Sequence, residues 1–320
     1  MKINKLDLNI LSISRKQIFK NILMIKKSRI VKFLIMLLLI EIAFVFVYPF
    51  LYAIVTSLKT DRDLNDITVK WIPSVVYFKN YVMAFQIIDY PLRLKSTLII
   101  VVFATIGHLF AGSLIGYSLS RHNFFGRRLL FIIVILTIII PAQTIIVPIY
   151  QTYSKLGLID SYLSLILPCF FGFGLRGGIY IFLFRQYYIT FPYELEEAAR
   201  IDGCGGLKTF WRIVLPNSKA SIVVTIILSM VWHWNDFYEP SAFLMNSDKY
   251  PINVPVNNIF VLFQLFEANS AESAELFEMV SYNEALIMAV IVLVIIPEIV
   301  IFFFLQKNFV KGIERTGIIS

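Results

Sequence analysis

Six stretches of the chain are nearly continuous in Ile, Leu, Val and Phe, and the polar residues fall mainly between them. A hydrocarbon core about 30 Å thick is crossed by about 20 apolar residues in helical form. On that length the spans fall at residues 33–56, 97–119, 129–150, 162–184, 221–237 and 285–305. Each must be a helix, because a lipid-facing strand edge leaves backbone N–H and C=O groups unsatisfied. The pattern predicts an all-α membrane protein with six transmembrane helices. It divides the chain into an N-terminal segment (1–32), a six-helix domain (33–309) and a tail (310–320). The fourth span is interrupted by Pro168 and by Gly172, Gly174, Gly177 and Gly178, with Arg176 among them.

Composition agrees. Of 320 residues, 58% are hydrophobic and 16% charged, against about 45–50% and about 25% in soluble domains. An ordinary cytosolic enzyme and a disordered chain are both excluded. The net charge of +8 gains meaning only when sorted along the chain. Lys and Arg crowd residues 1–32, the second-to-third connection (Arg121, Arg127, Arg128), the fourth-to-fifth (Arg185, Arg200, Lys208, Arg212, Lys219) and the tail (Lys307, Lys311, Arg315). The third-to-fourth connection holds only Lys155. The fifth-to-sixth holds Lys249 against seven carboxylates, and the first outer loop is mixed. The positive-inside rule then places both termini in the cytoplasm. The excess is topological and no nucleic-acid partner is expected.

The N-terminal segment has no small-residue cleavage site, so no removed signal peptide is expected. Two readings of its basic charge stay open. One is attraction to anionic lipid, with Ile3, Leu6, Ile10 and Ile13 at partial interfacial-helix spacing; the other is a docking arm for a partner. Two cysteines, Cys169 and Cys204, imply no disulfide framework.

Cytoplasmic connections between spans are usually short, but the one at 191–216 is long. Pro192 suits a first helical turn, and Glu194, Glu196 and Glu197 favour the positive end of that helix. Glu196 and Arg200 stand at i,i+4 spacing. Gly203, Gly205 and Gly206 permit a sharp reversal. A second short helix over 207–214, carrying Phe210 and Trp211, is expected to end before Pro216. A solvated interfacial hairpin would satisfy these features. A more specific pattern lies over them: Glu197-Ala198-Ala199, then Asp202-Gly203, then after nine residues Ile213, Leu215 and Pro216.

This spacing resembles the EAA signature of ABC importer permeases. The surroundings resemble the carbohydrate-importing branch, the subunits similar to the maltose permease G protein. Matching segments are Arg185-Gln186, residues 196–203, Phe210-Trp211-Arg212-Ile213 and Trp234-Asn235-Asp236-Phe237. Trp71-Ile72-Pro73 with Asn80-Tyr81, Arg127-Arg128 before Ile140-Pro141, and residues 306–312 also fit. The resemblance spans about residues 30–315. It implies a type I importer (MetI-like) permease fold in the bacterial cell membrane, multi-pass among its lipids. It implies as partners a second, homologous permease, a cytosolic ABC ATPase dimer and an extracellular sugar-binding protein or lipoprotein, with a mono- or oligosaccharide as the substrate. A permease for a non-sugar solute is the alternative. The loop would be the coupling helix, with Glu197, Ala198, Ala199, Asp202, Gly203, Ile213, Leu215 and Pro216 as its coupling residues. Catalysis and ATP with its Mg would belong to the ATPase, and no cofactor is expected on this chain.

For the translocation path, the interrupted fourth span offers Gly174, Arg176 and Gly177, and the end of the fifth offers Asn235 and Asp236. Close packing on small residues, with Arg176 snorkelling to an interface, is the competing reading. Trp232 and Trp234 serve either as interface anchors or as sugar platforms. Glu41 and Glu298 are expected to pair inside the bundle. The acidic stretch 267–284 is longer than usual in such permeases and reads as a docking surface or a solvated helix. No GxxxxGK[ST] phosphate loop is present. His108, His122 and His233 are far apart in sequence, the cysteines lack zinc spacing, and no metal site is expected. Cys169 reads as core. No triad or nucleophile elbow supports an intramembrane enzyme.

Overall fold

A computed structural model describes residues 5–259 and 283–317. The described residues are helices and connecting loops. Helix α1 (Lys5–Ser57) is 53 residues long, about 80 Å at 1.5 Å per residue. It is followed by short α2 (Asp61–Asn65) and α3 (Lys79–Ile87), then α4 (Tyr90–Arg121). The third stretch is α5 (Arg127–Ile139) and α6 (Ala142–Lys155), and the fourth is α7 (Leu163–Phe170) and α8 (Gly177–Thr190). The fourth-to-fifth connection holds α9 (Tyr193–Ile201), α10 (Gly206–Thr209), a π-helical turn over Phe210–Val214 and α11 (Leu215–Asn217). Then come α12 (Lys219–Asn235), α13 (Tyr238–Phe243) and α14 (Glu284–Gly317). The acidic stretch up to residue 282 lies outside the described residues, as do the N-terminal side chains through residue 30.

Three helices are individually long and apolar enough to cross a bilayer: Val31–Ser57, Tyr90–Arg121 and Glu284–Phe304. Two helix pairs are apolar enough to cross only if each bent pair is taken as one span: α5–α6, which turns by 107°, and Gly206–Asn217 with α12, which meet at 75°. The first bend replaces the continuous third span expected from the apolar run. Its cause is Pro141, which lacks an N–H and forces Ile140 into an extended conformation (ψ 121°). The fourth span is two helices separated by Phe171–Arg176, as its Gly and Pro content leads one to expect.

Helix α4 is the centre of the bundle and packs on α7, α8 and α12. The approach to α8 is close because α4 offers Gly112 and Gly116 there. A β-carbon at Gly116 would lie 2.8 Å from the Phe184 β-carbon and 2.9 Å from the Arg185 backbone N. Small residues serve this purpose in membrane helices, where lipid supplies no hydrophobic drive. Helix α14 packs on α12, α3 and α1; against α3 it does so through a core of Ala84, Ile88, Leu286, Ala289 and Val290. Residues 31–51 of α1 are, by contrast, exposed, apolar and almost without in-chain cover.

On the side of the third-to-fourth connection, Asp160 closes a clasp. Its Oδ1 accepts from the backbone N–H groups of Met245 (3.0 Å) and Asn246 (2.9 Å), and Oδ2 accepts from Lys249 Nζ at 2.8 Å. These bonds, the Lys249 one foremost, hold its carboxyl down to about 2.

Candidate coupling loop and translocation break

The 191–216 connection is anchored to the bundle by the side chain beside the signature glutamate. Glu196 is 1% exposed. Its Oε1 lies 2.8 Å from Arg121 Nε at the end of α4, and its Oε2 accepts from the Tyr117 hydroxyl at 2.8 Å. Arg121 also donates to the Phe191 carbonyl, where the chain leaves α8. The expected Glu196–Arg200 pair does not form. Glu196 and Ala199 lie on the buried face of α9, whereas Arg200 is exposed and donates to the Tyr193 hydroxyl at 3.1 Å. The second half is anchored by Phe210 and Val214, both buried among Tyr117, Phe184, Tyr188 and Phe191. The Tyr117 ring meets Phe210 at 5.1 Å and Tyr188 at 5.7 Å.

The elbow between the halves is a Schellman motif. Cys204 N–H donates to the Ala199 carbonyl (2.9 Å) and Gly203 N–H to the Arg200 carbonyl (3.0 Å). Gly203 has φ +78°, where a β-carbon is opposed by the backbone itself, and no neighbour lies within 4 Å of that position. Pro192 sits one position ahead of its expected place, as the residue before the first turn. The second helix does not stop before Pro216. It widens into the π turn and runs through Leu215 and Pro216 to Asn217, then breaks at Ser218. The wider turn gives room to a residue that has no N–H to return and a ring that clashes with an α-helical turn.

What remains outward is Glu197, Ala198, Asp202 and Gly203, with Ile201 at 87% and Leu207 at 72% exposed. Ala199 faces the chain's own bundle, so its small size serves internal packing. Ile213 and Leu215 are half-buried and Pro216 is exposed. Ile201 and Leu207 were not singled out by the sequence pattern, although both stand beside the glycine elbow.

In the break of the fourth span, Gly172 (φ +73°), Gly174 (φ +94°) and Arg176 (φ +56°) all take left-handed backbone. At Gly174 a β-carbon would lie 2.8 Å from Cys169 Sγ. Gly177 is buried and starts α8. Arg176 is exposed, and its guanidinium lies 4.5 Å from the Trp232 ring centroid on α12. The break and the end of α12 therefore meet through Arg176 and Trp232. Asn235 donates to Glu298 Oε1 (3.0 Å) and to the Val231 carbonyl. Asp236 Oδ1 accepts from the N–H groups of Tyr238 and Glu239 and starts α13. Trp234 is buried and donates to the Val294 carbonyl, so it is a packing residue; the half-buried Trp232 is the available aromatic face. Glu298 finds a neutral partner, not a cation. Glu41 corrects the expectation of an in-bundle pair: it is exposed on α1, with no hydrogen bond or ion pair among the described residues.

The profile of the family described as "Binding-protein-dependent transport system inner membrane component" matches residues 108–315. The chain is 29% identical over 297 residues to the arabinooligosaccharides transport system permease protein AraQ of Halalkalibacterium halodurans, covering 92% of this chain and 98% of that protein. It is 30% identical over 290 residues to the polygalacturonan/rhamnogalacturonan transport system permease protein YtcP of Bacillus subtilis, covering 89% and 97%. It is 31% identical over 222 residues to the sn-glycerol-3-phosphate transport system permease protein UgpE of Yersinia pestis, covering 69% and 72%. Its fold matches a chain of a bacterial ABC transporter involved in the import of the acidic polysaccharide alginate, with a TM-score of 0.72 at 24% identity, over 88% of this chain and 98% of that one. An all-helical membrane chain with this coverage is a transport subunit, not an enzyme, and it belongs to the family of binding-protein-dependent transport system inner membrane components, the permeases of ABC importers.

Proposed function

We propose that this chain is the saccharide-importing permease of its complex and that the 191–216 loop couples it to a cytosolic ATPase. The carrying observation is the two-sided build of that loop. One side is locked to α4 and α8 through Glu196, Arg121, Tyr117 and Phe210. The other offers Glu197, Ala198, Ile201, Asp202, Gly203 and Leu207 to solvent. Exposed large apolar residues beside a carboxylate are what a protein partner covers. A push on the outward face then moves the roots of α4 and α8 together, because the buried side is one packed unit. Ala199 and Leu215 belong to that unit, and Ile213 and Pro216 lie at its edge.

The chain crosses the membrane six times with both termini inside, the bent pairs and the broken fourth span each counting once. Residues 1–32 and 310–320 flank the domain on the cytoplasmic side. ATP and Mg are used by the ATPase dimer, and a binding protein delivers the substrate from outside. A second permease is needed as well. Glu41 on the exposed apolar face of α1 supports this, because a lone carboxylate facing lipid costs about 2.5–3.5 kcal/mol and a protein neighbour relieves it.

The substrate is a mono- or oligosaccharide. Trp232, Arg176, Asn235 and Asp236 combine one aromatic face with planar polar groups, which suits an apolar ring face rimmed by hydroxyls. The named transport systems of AraQ and YtcP support the same class. A small phosphorylated polyol is the second reading, favoured by the likeness to UgpE. The test is co-purification with the products of neighbouring genes, then ligand-dependent ATP hydrolysis and uptake over a panel of sugars, polyol phosphates and amino acids. Stimulation by a saccharide is expected. Uptake of amino acids and of no saccharide would overturn the substrate class, and transport by this chain alone would overturn the coupling.

A further inference from the structure

Three residues that the sequence scatters come together in the middle of the bundle. His108 is on α4, Cys169 near the end of α7 and His233 on α12. Their ligand atoms all lie within 4.8 Å of one another, and all three side chains are buried. Cys169 Sγ is 3.9 Å from His233 Nε2. Around a metal with bonds of about 2.3 Å to sulfur and about 2.0 Å to nitrogen, those two atoms stand about 3.5–3.8 Å apart. The pair is thus already close to ligand spacing.

Protonation points the same way. His233 Nδ1 lies 2.9 Å from the Ser229 carbonyl, which can only accept. Nδ1 therefore carries the hydrogen, and Nε2 turns its lone pair toward Cys169 Sγ, where it accepts from the thiol. A ring fixed by a backbone carbonyl in this manner is the usual outer support of a metal-bound histidine. His108 gives the independent observation. It is 1% exposed, and neither ring nitrogen has a hydrogen-bond partner. Its ring packs at 4.2 Å on Tyr180 and 5.3 Å on His233. A buried imidazole with both nitrogens unpartnered is costly as a packing residue, and a metal bond would satisfy one of them.

We propose that His108, Cys169 and His233 form a three-ligand site for a soft d10 metal ion, Cu+ or Zn2+. Nitrogen and thiolate ligands select ions of this kind. On binding, the Cys169 thiol loses its proton to solvent and the sulfur–metal bond forms. With two neutral imidazoles and one thiolate, Cu+ leaves no net charge in the low-dielectric core, whereas Zn2+ leaves one positive charge. Charge therefore favours Cu+. The ligands lie on three separate elements, and Cys169 abuts the Gly174 break, so a bound ion ties α4, α7 and α12 together beside Arg176.

The test uses the full-length chain purified with its co-purifying subunits. Samples are equilibrated with Zn2+, or with Cu+ under reductant, and dialysed. Metal per chain is measured for wild type, Cys169→Ser and His108→Gln, with X-ray absorption at the metal edge. About one extra ion per wild-type chain is expected, with one sulfur and two nitrogen neighbours, lost in both variants. The ion should also raise the melting temperature of wild type and of neither variant. The two substitutions sit on different helices, and either alone suffices if the other does not assemble. Equal metal content in wild type and the variants, or a shell without sulfur, would overturn the site.

Discussion

Neighbouring glutamates in the 191–216 loop face opposite ways. Glu196 is buried in an ion pair with Arg121 and a hydrogen bond from Tyr117. Removing one member of a buried pair leaves the other uncompensated, at about 3 kcal/mol or more. Glu196→Ala is expected to lower the melting temperature and to uncouple ATP hydrolysis from uptake; an unchanged melting temperature would refute the anchoring role. Glu197→Lys should leave stability and membrane content as they are while abolishing uptake, because that carboxylate is outward. At the elbow, Gly203→Ala meets no neighbour but must hold a left-handed backbone, which costs about 1–2 kcal/mol. Thermal unfolding reads that cost, and Gly203→Asp should in addition stop uptake. Retained transport by Gly203→Asp or Glu197→Lys would remove the loop from the coupling path.

At the level of elements, the α4–α8 crossing depends on Gly116. Gly116→Val places atoms where the Phe184 β-carbon and the Arg185 backbone already stand, and helices cannot yield there without parting. Overpacking of this kind costs about 1–3 kcal/mol, so less assembled protein is expected in detergent extracts, measured by size exclusion. The Asp160 clasp carries a pH dependence. Its folded-state value, about 2, is below the ordinary value of about 4. The clasp therefore contributes fully above about pH 4, and its contribution is lost as pH falls toward 2. Faster amide exchange at Met245 and Asn246 should appear in that window and be present at all pH values in Asp160→Asn.

Much of this level was legible in advance. Uninterrupted apolar runs marked α1, α4 and α14, and Pro168 with its glycines marked the broken fourth span. The bend at Pro141 was less visible, because a proline inside an apolar run is also compatible with a kinked helix. The glycine elbow of the 191–216 loop was legible from its sequence, while the Glu196 anchor was not. Its partner Arg121 is 75 positions earlier, and i,i+4 spacing offered a nearer candidate in Arg200. The His108–Cys169–His233 trio was invisible for the same reason: no local spacing joins residues brought together only by helix packing.

Over the whole molecule, Lys and Arg are sorted into alternate connections along the chain. The sorted Lys and Arg predict that reporters fused at either end of the chain work only in the cytoplasm. A reporter active outside from either end would reverse the orientation. Exposed apolar area is concentrated on residues 31–51 of α1, and the same stretch carries Glu41. One more consequence lies in how α1 is held. Its main in-chain neighbour is α14, and Tyr52 donates to Glu284 across 232 positions at 2.7 Å. Synthesis runs at about 5–20 residues per second, so the first span waits roughly 10–50 s in the bilayer before its partner is made. A chain cut short anywhere in that interval leaves α1 without its α14 contact and without the Tyr52–Glu284 bond.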